Sequence, residues 1–255
     1  MINYIEKKEH KAAIIEINRP DQLNALNNSV ISAINRELEE IRRNKAIRSV
    51  IIRGVGQKAF VAGADIKEFQ DFNKEEARNL SLKGKECLFD KIANFNKPVI
   101  ACINGYALGG GLELALASHI RVASETAKLG LPECSLGIIP GYGGTQRLGR
   151  IIGIGKAMEM ILTAQMISAI EAKEIGLVNQ ITDNENILLK CLEITKLFHR
   201  TSPESLSAAI KSINSCFYPG GSEIESEEFA RLFDTLNFQE GVSAFLEKRK
   251  PNFNQ

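Results

Sequence analysis

Two glutamates and two glycine-rich turns carry the chemical potential of this sequence. Glu113 lies among Leu112, Leu114, Ala115, Leu116 and Ala117, just after the triplet Gly109-Gly110-Gly111. A carboxylate in so apolar a helix is expensive unless it has a partner or a task. Placing it on the wet stripe of a surface helix is disfavoured, because Leu and Ala surround it on every helical face. Glu133 follows Pro132 in a tight turn, where an ordinary turn carboxylate is an equally good reading. Three consecutive glycines are costly in backbone entropy and mark close approach of backbone to something else. They also leave N–H groups at a helix N-terminus, where the dipole favours developing negative charge. Gly63, between Ala62 and Ala64, offers a second close approach, although a plain helix–strand connection would look similar. Two N–H groups converging on one point make an oxyanion hole, and buried carboxylates form the acid/base pair that proton transfer at neutral pH requires. The set suits proton movement beside a carbonyl through an enolate, without covalent capture or metal.

Other chemistries lack their residues. There is no G-x-S-x-G elbow, and His10, His119 and His199 are far apart, which disfavours Ser-His and Cys-His hydrolases and metal clusters. The stretch 149–156 fails as a phosphate loop because Arg150 stands where a glycine is needed and Ala157 where Ser or Thr is needed. Gly141-Tyr142-Gly143-Gly144 fails the dinucleotide pattern at Gln146. The net charge of +1 asks for neither nucleic acid nor an anionic membrane. Five scattered cysteines fit reduced thiols in a cytosol-like compartment. The charged first eleven residues lack the apolar core of a signal sequence. The apolar run from Val99 to Ala117 contains Asn104, Glu113 and three glycines, which makes it buried core and not a membrane span.

The elements that must position these residues alternate. Apolar runs at 12–17, 49–52, 99–103, 120–123 and 177–181 read as strands. Val30, Ile31, Ile34, Leu38 and Ile41 have helical spacing after possible caps at 27–29. That helix carries Arg36, Arg42, Arg43, Lys45 and Arg48, but interleaved Glu37, Glu39 and Glu40 make it a solvated face and not an RNA-binding one. Residues 73–94 read as one long helix, and Asp65 as the cap of a shorter one. From 187 onward the pattern is almost wholly helical, broken at Pro219-Gly220-Gly221. Strands alternating with helices, then helices alone, predict an α/β core with a helical C-terminal cap.

Taken in order, the segments 62–67, 104–113, 132–133 and 140–148, with the ending 244–250, resemble the enoyl-CoA hydratase (crotonase) family over essentially the whole chain. The resemblance implies a spiral of repeated ββα units over residues 1–198 and a C-terminal helical trimerisation region over 199–255. It implies a homotrimer, or a homohexamer built as a dimer of trimers, that is cytoplasmic, binds no membrane or nucleic acid and uses no cofactor, coenzyme A being part of the substrate. By position, the N–H groups of Ala64 and Gly110 would hold the thioester oxygen. Ala25, Ala62, Ala64, Asp65, Ile66, Lys67 and Gly110 would contact the acyl-CoA.

The paired glutamates point within the family to a hydratase. Glu113 would activate water for attack on C3 and Glu133 would protonate C2, giving syn addition to a trans-2-enoyl-CoA and a (3S)-3-hydroxyacyl-CoA, as in fatty acid β-oxidation or its reverse. The alternatives are a double-bond isomerase of the same fold and, from other classes, an RNA-binding relative or a non-catalytic scaffold. His119 stands where the family usually has Asp, and Leu131 where Gln or a similar residue often precedes the Pro-Glu pair.

Overall fold

A computed structural model describes residues 1–253. In chain order the elements are β1 (Ile2–Lys7), β2 (Ala12–Ile17), α1 (Asn28–Arg43), β3 (Ser49–Gly54), β4 (Ala59–Ala62), α2 (Lys74–Gly84), α3 (Asp90–Ala93), β5 (Val99–Ile103) and β6 (Tyr106–Leu108). They continue with α4 (Gly110–Ala117), β7 (Ile120–Ser124), β8 (Lys128–Gly130), α5 (Gly144–Ile152), α6 (Ile154–Thr163), β9 (Ile167–Ser168), α7 (Ala169–Glu174) and β10 (Gln180–Thr182). Four helices close the chain: α8 (Ile187–Phe198), α9 (Pro203–Ser215), α10 (Gly221–Leu232) and α11 (Leu236–Leu246).

The strands form two sheets, β1-β2-β3-β5-β7-β10 and β4-β6-β8-β9. Each of the pairs β3/β4, β5/β6 and β7/β8 places its first strand in the large sheet and its second in the small one, with helix following. The next turn stacks in parallel on the last. This is the ββα spiral expected from the resemblance. β2, β3, β5 and β7 are almost wholly buried apolar runs, as parallel strands covered on both faces must be.

Two apolar layers cover the large sheet. One holds Ile34 and Leu38 of α1 with Val50, Ile52, Ala101 and α4. The other packs Ile187, Cys191 and Ile194 of α8 on Ile14, Ile51, Ile100 and Val122. Asn27 caps α1 by accepting the Val30 N–H at 2.9 Å. On the solvent side of α1, Glu39 takes Lys91 and Arg42, and Glu37 takes Arg36, the internally paired face expected there.

The helix expected over 73–94 runs from α2 through a π-helical turn at Lys85–Phe89 into α3. One local expectation is corrected. Asp65 makes no helix cap; its carboxylate accepts instead from Arg19 Nη2 at 3.0 Å, because only a single short turn, Ile66–Glu68, follows it.

Candidate active site

The site forms where the C-terminal ends of β4, β5 and β6 meet the start of α4. Asn104, buried just after β5, donates to the Gly54 carbonyl at 3.1 Å and accepts the Gly54 N–H at 3.2 Å. Asn24 does the same service for the neighbouring loop, donating to the carbonyls of Val55 and Ala59 at 3.0 and 2.9 Å. Each side chain replaces backbone partners that irregular buried segments would otherwise leave unmatched. The strand-like bridge between Leu26 and Ala64 then ties the 24–26 segment to the 62–65 turn, with Leu26 N–H donating to Gly63 O at 2.9 Å and Asp65 N–H to Leu26 O at 2.7 Å.

Glycines set the approach of α4. A Cβ on Gly111 would lie 1.9 Å from the Val61 carbonyl oxygen, so only glycine lets α4 rest on β4. Gly109 has φ +50°, a conformation other residues adopt at a strain cost. The outcome is that Gly110 abuts the 63–64 peptide: its Cβ position is 3.6 Å from Ala64 N and 3.8 Å from Gly63 C. Among the described residues, no acceptor takes the N–H of Ala64 or of Gly110.

Glu113 is 1% exposed, and every residue of α4 is buried with it. Its Oε1 accepts two backbone N–H groups, from Tyr142 and from Gly144, each at 2.7 Å. Gly144 opens α5, so the carboxylate also sits at a helix N-terminus, which favours its ionised form. Burial pushes its pKa the other way and prevails, raising it to about 7, with the Glu133 charge adding to the rise and the two N–H bonds and Arg147 opposing it.

Glu133 lies on the turn Pro132–Leu136. Its Oε1 is 2.7 Å from where a Gly109 Cβ would stand, and its buried Oε2 has no partner among the described residues. Burial raises its pKa. Burial thus drives both carboxyls toward the protonated form, and at Glu113 the two N–H donors oppose it.

The 140–144 loop that supplies the N–H donors is clamped from outside. Ser81 Oγ donates to Gly141 O at 2.6 Å, and the Tyr142 ring stacks on Phe89 with centroids 4.6 Å apart. Gly84 leaves room for that ring, since a Cβ there would lie 2.3 Å from Tyr142 Cε1. Arg147 Nη1 donates to Tyr142 O at 2.9 Å while Nη2 pairs with Asp90. The π-helical turn brings Phe89 and Asp90 to this loop together, a use of an irregular turn common beside functional sites. Arg147, Asp90, Phe89 and the N–H donors of Tyr142 and Gly144 were not legible from motif spacing. A buried glutamate's need for donors, with a glycine-rich loop downstream, is the signal that could have found the last two.

The other expected contacts line one rim. Ala25 O accepts from Arg19 Nη1 at 2.7 Å, Ala62 ends β4, and Ile66 and Lys67 project as exposed side chains from the following turn. His119 lies at the base of β5. Its Nδ1 accepts the Val99 N–H at 2.9 Å and Nε2–H donates to Ala93 O at 3.1 Å, a pair of bonds that requires the neutral ring. Leu131 is fully buried, immediately before the Pro132–Glu133 pair.

Residues 7–255 match the family model described as enoyl-CoA hydratase/isomerase. The chain belongs to this family. It is 41% identical over 251 residues to the short-chain-enoyl-CoA hydratase of Clostridium acetobutylicum, covering 97% of this chain and 96% of that one. Identity to the crotonyl-CoA hydratase of Syntrophomonas wolfei is also 41%, over 258 residues, with 98% and 97% covered. Among solved structures, the enoyl-CoA hydratase from Bacillus anthracis superposes with a TM-score of 0.90 at 37% identity, covering 100% of this chain and 98% of that one. The Bacillus anthracis structure shares the fold of this member of the family, and here the glycine turns and the two carboxylates meet at the strand ends.

Proposed function

We propose that this chain is an enoyl-CoA hydratase that adds water syn across the 2,3 double bond of a trans-2-enoyl-CoA to give the (3S)-3-hydroxyacyl-CoA, reversibly. The observation that carries the reading is the contrast between the carboxylates. Glu113 is fixed by two N–H bonds at a helix N-terminus, whereas Glu133 Oε2 is buried without a donor. The names of the relatives support the substrate class.

In this reading the thioester oxygen accepts the N–H groups of Ala64 and Gly110, which stabilise the enolate-like charge that develops there. Glu113 takes a proton from water as the water oxygen bonds to C3. Glu133, the protonated partner, delivers a proton to C2, and the two glutamates have then exchanged charge states. Transfer of a proton from Glu113 back to Glu133 through a further water restores them. Ala25, Ala62, Asp65, Ile66 and Lys67 would lie along the CoA, with Asp65 acting by holding Arg19 and through it the Ala25 carbonyl. The reaction needs no cofactor beyond the coenzyme A that its substrate carries.

Assembly into trimers, or dimers of trimers, belongs to the same proposal. Ile154, Leu162, Phe229, Phe245 and Leu246 are exposed apolar side chains on α6, α10 and α11 or beside their ends, more than scattered surface residues would explain. Among the described residues no helix is long and apolar enough to cross a membrane. The test is loss of enoyl-thioester absorbance with crotonyl-CoA and identification of 3-hydroxybutyryl-CoA as product. Inactivity on crotonyl-CoA and on longer trans-2-enoyl-CoAs contradicts the reading, and a shifted double bond as the product supports an isomerase in its place.

A further inference from the structure

Residue 142 reaches the candidate site twice, once through its backbone and once through its ring. Its N–H donates to Glu113 Oε1 at 2.7 Å. Its ring lies against Gly110, whose Cβ position is 3.7 Å from Tyr142 Cδ2 and 3.6 Å from Ala64 N. An atom at that point would touch the ring edge and the Ala64 nitrogen together. In the proposed reaction the Ala64 and Gly110 N–H groups hold the oxygen on C1, and Glu113 activates the water that attacks C3. The Tyr142 ring therefore flanks the segment from C1 to C3, and an acyl chain that continues past C3 runs on beside it.

That ring has little freedom to yield. Fully buried Phe89 stacks on one face, with centroids 4.6 Å apart and planes within 10° of parallel. Gly84 closes the Cε1 edge so tightly that a Cβ there would lie 2.3 Å away. Gly84 ends α2 and Phe89 ends the π-helical turn that follows it, so one continuous helical segment holds both. From below, Ser81 Oγ on Gly141 O and Arg147 Nη1 on Tyr142 O hold the loop that carries the ring. The phenol stays neutral: burial lifts its pKa to about 12, and the Glu113 and Glu68 charges add to the rise. A close-packed aromatic wall of this kind refuses extra methylenes, because they would have to displace a ring that its neighbours keep in place.

We propose that the Tyr142 ring, seated by Phe89 and Gly84, sets the acyl-length limit of the site and restricts it to short-chain enoyl-CoAs. The inference rests on the hydratase reading, which supplies the positions of C1 and C3. A smaller side chain at residue 142 keeps the N–H that holds Glu113 and removes the wall. The space it vacates lies against Phe89 and Gly84, an apolar surface that suits the methylenes of a longer chain.

Two readouts on the wild type, Tyr142→Phe, Tyr142→Val and Tyr142→Ala test it: kcat/KM for hydration of crotonyl-CoA and trans-2-octenoyl-CoA, and calorimetric Kd for the unreactive butyryl-CoA and octanoyl-CoA. Tyr142→Val keeps an apolar contact with Phe89 where Tyr142→Ala loosens the loop. The wild type is expected to prefer the four-carbon chain in both readouts. The eight- to four-carbon ratio should rise about tenfold or more in Tyr142→Val and Tyr142→Ala, the scale of methylene discrimination in an apolar pocket, and stay near wild type in Tyr142→Phe. A wild type that takes octenoyl-CoA as well as crotonyl-CoA overturns the proposal, as does a ratio unchanged in the Val and Ala variants. A protein that binds butyryl-CoA but hydrates neither substrate contradicts the hydratase reading instead, and the octanoyl-to-butyryl affinity ratio then decides the role of the ring by itself.

Discussion

Glu113 and Arg147 are joined through one residue, Tyr142, whose N–H donates to Glu113 Oε1 at 2.7 Å and whose carbonyl accepts from Arg147 Nη1 at 2.9 Å. A guanidinium anchored on Asp90 thus fixes the peptide that fixes the carboxylate. The space is filled: a Cβ on Gly143, at φ +101°, would stand 2.4 Å from Arg147 Nη1.

Arg147→Met frees this loop and removes a positive charge that holds the Glu113 pKa down. Hydration kcat is expected to fall about 10- to 100-fold, the loss of a well-placed positioning contact, with a smaller change in KM. The acid limb of the kcat profile should move to higher pH. Steady-state kinetics across pH check it, with Arg147→Lys expected to recover part of the loss. An unshifted limb would make Arg147 a merely structural residue.

The two neighbouring glycines give different failures. Gly111→Ala drives a methyl into the Val61 carbonyl at 1.9 Å and is expected to prevent stable folding, because backbone on β4 cannot yield. Gly109→Ala strains φ +50° by about 1–3 kcal/mol and displaces Glu133 Oε1 from 2.7 Å. It should fold with a lowered Tm and lose most activity. Circular dichroism melts beside hydration assays distinguish the two.

Stability should respond to pH through two groups that oppose each other. Between about pH 4.5 and 7 the folded chain holds a proton on Glu113 that the unfolded chain has lost, so stability falls as pH rises, by up to about 3 kcal/mol. His119 is pulled down to about 4 by burial, so the unfolded chain holds the extra proton between about pH 4 and 6.5 and stability rises with pH there. The contributions largely cancel in the wild type. Glu113→Gln leaves the His119 slope exposed, and urea unfolding from pH 4.5 to 8 should show its stability rising with pH against the wild type. Parallel curves would refute this.

The large sheet was legible because its strands are buried apolar runs, 12–17, 99–103 and 120–124 among them. The small sheet was not. β6, β8 and β9 have three, three and two residues, and only non-local pairing makes them strands. β1 read as a charged N-terminus, yet it is an antiparallel edge strand whose Ile2 and Ile5 pack on the two different apolar layers. Glu113 was legible as a carboxylate among Leu and Ala. Its donors were not, since a backbone N–H has no residue type to betray it, and Arg147 meets Asp90 across 57 residues.

The central claim is that Glu113 and Glu133 act as one acid/base unit on a single water. The most direct test is the hydration rate of crotonyl-CoA by the wild type, Glu113→Gln, Glu133→Gln and the double variant, each confirmed folded. Each single change is expected to lower kcat by about 10²–10⁴, and the double change by far less than the product of the two losses, because either carboxylate alone cannot complete the addition. Near-wild-type activity in either single variant, or losses that multiply in the double variant, would contradict the account.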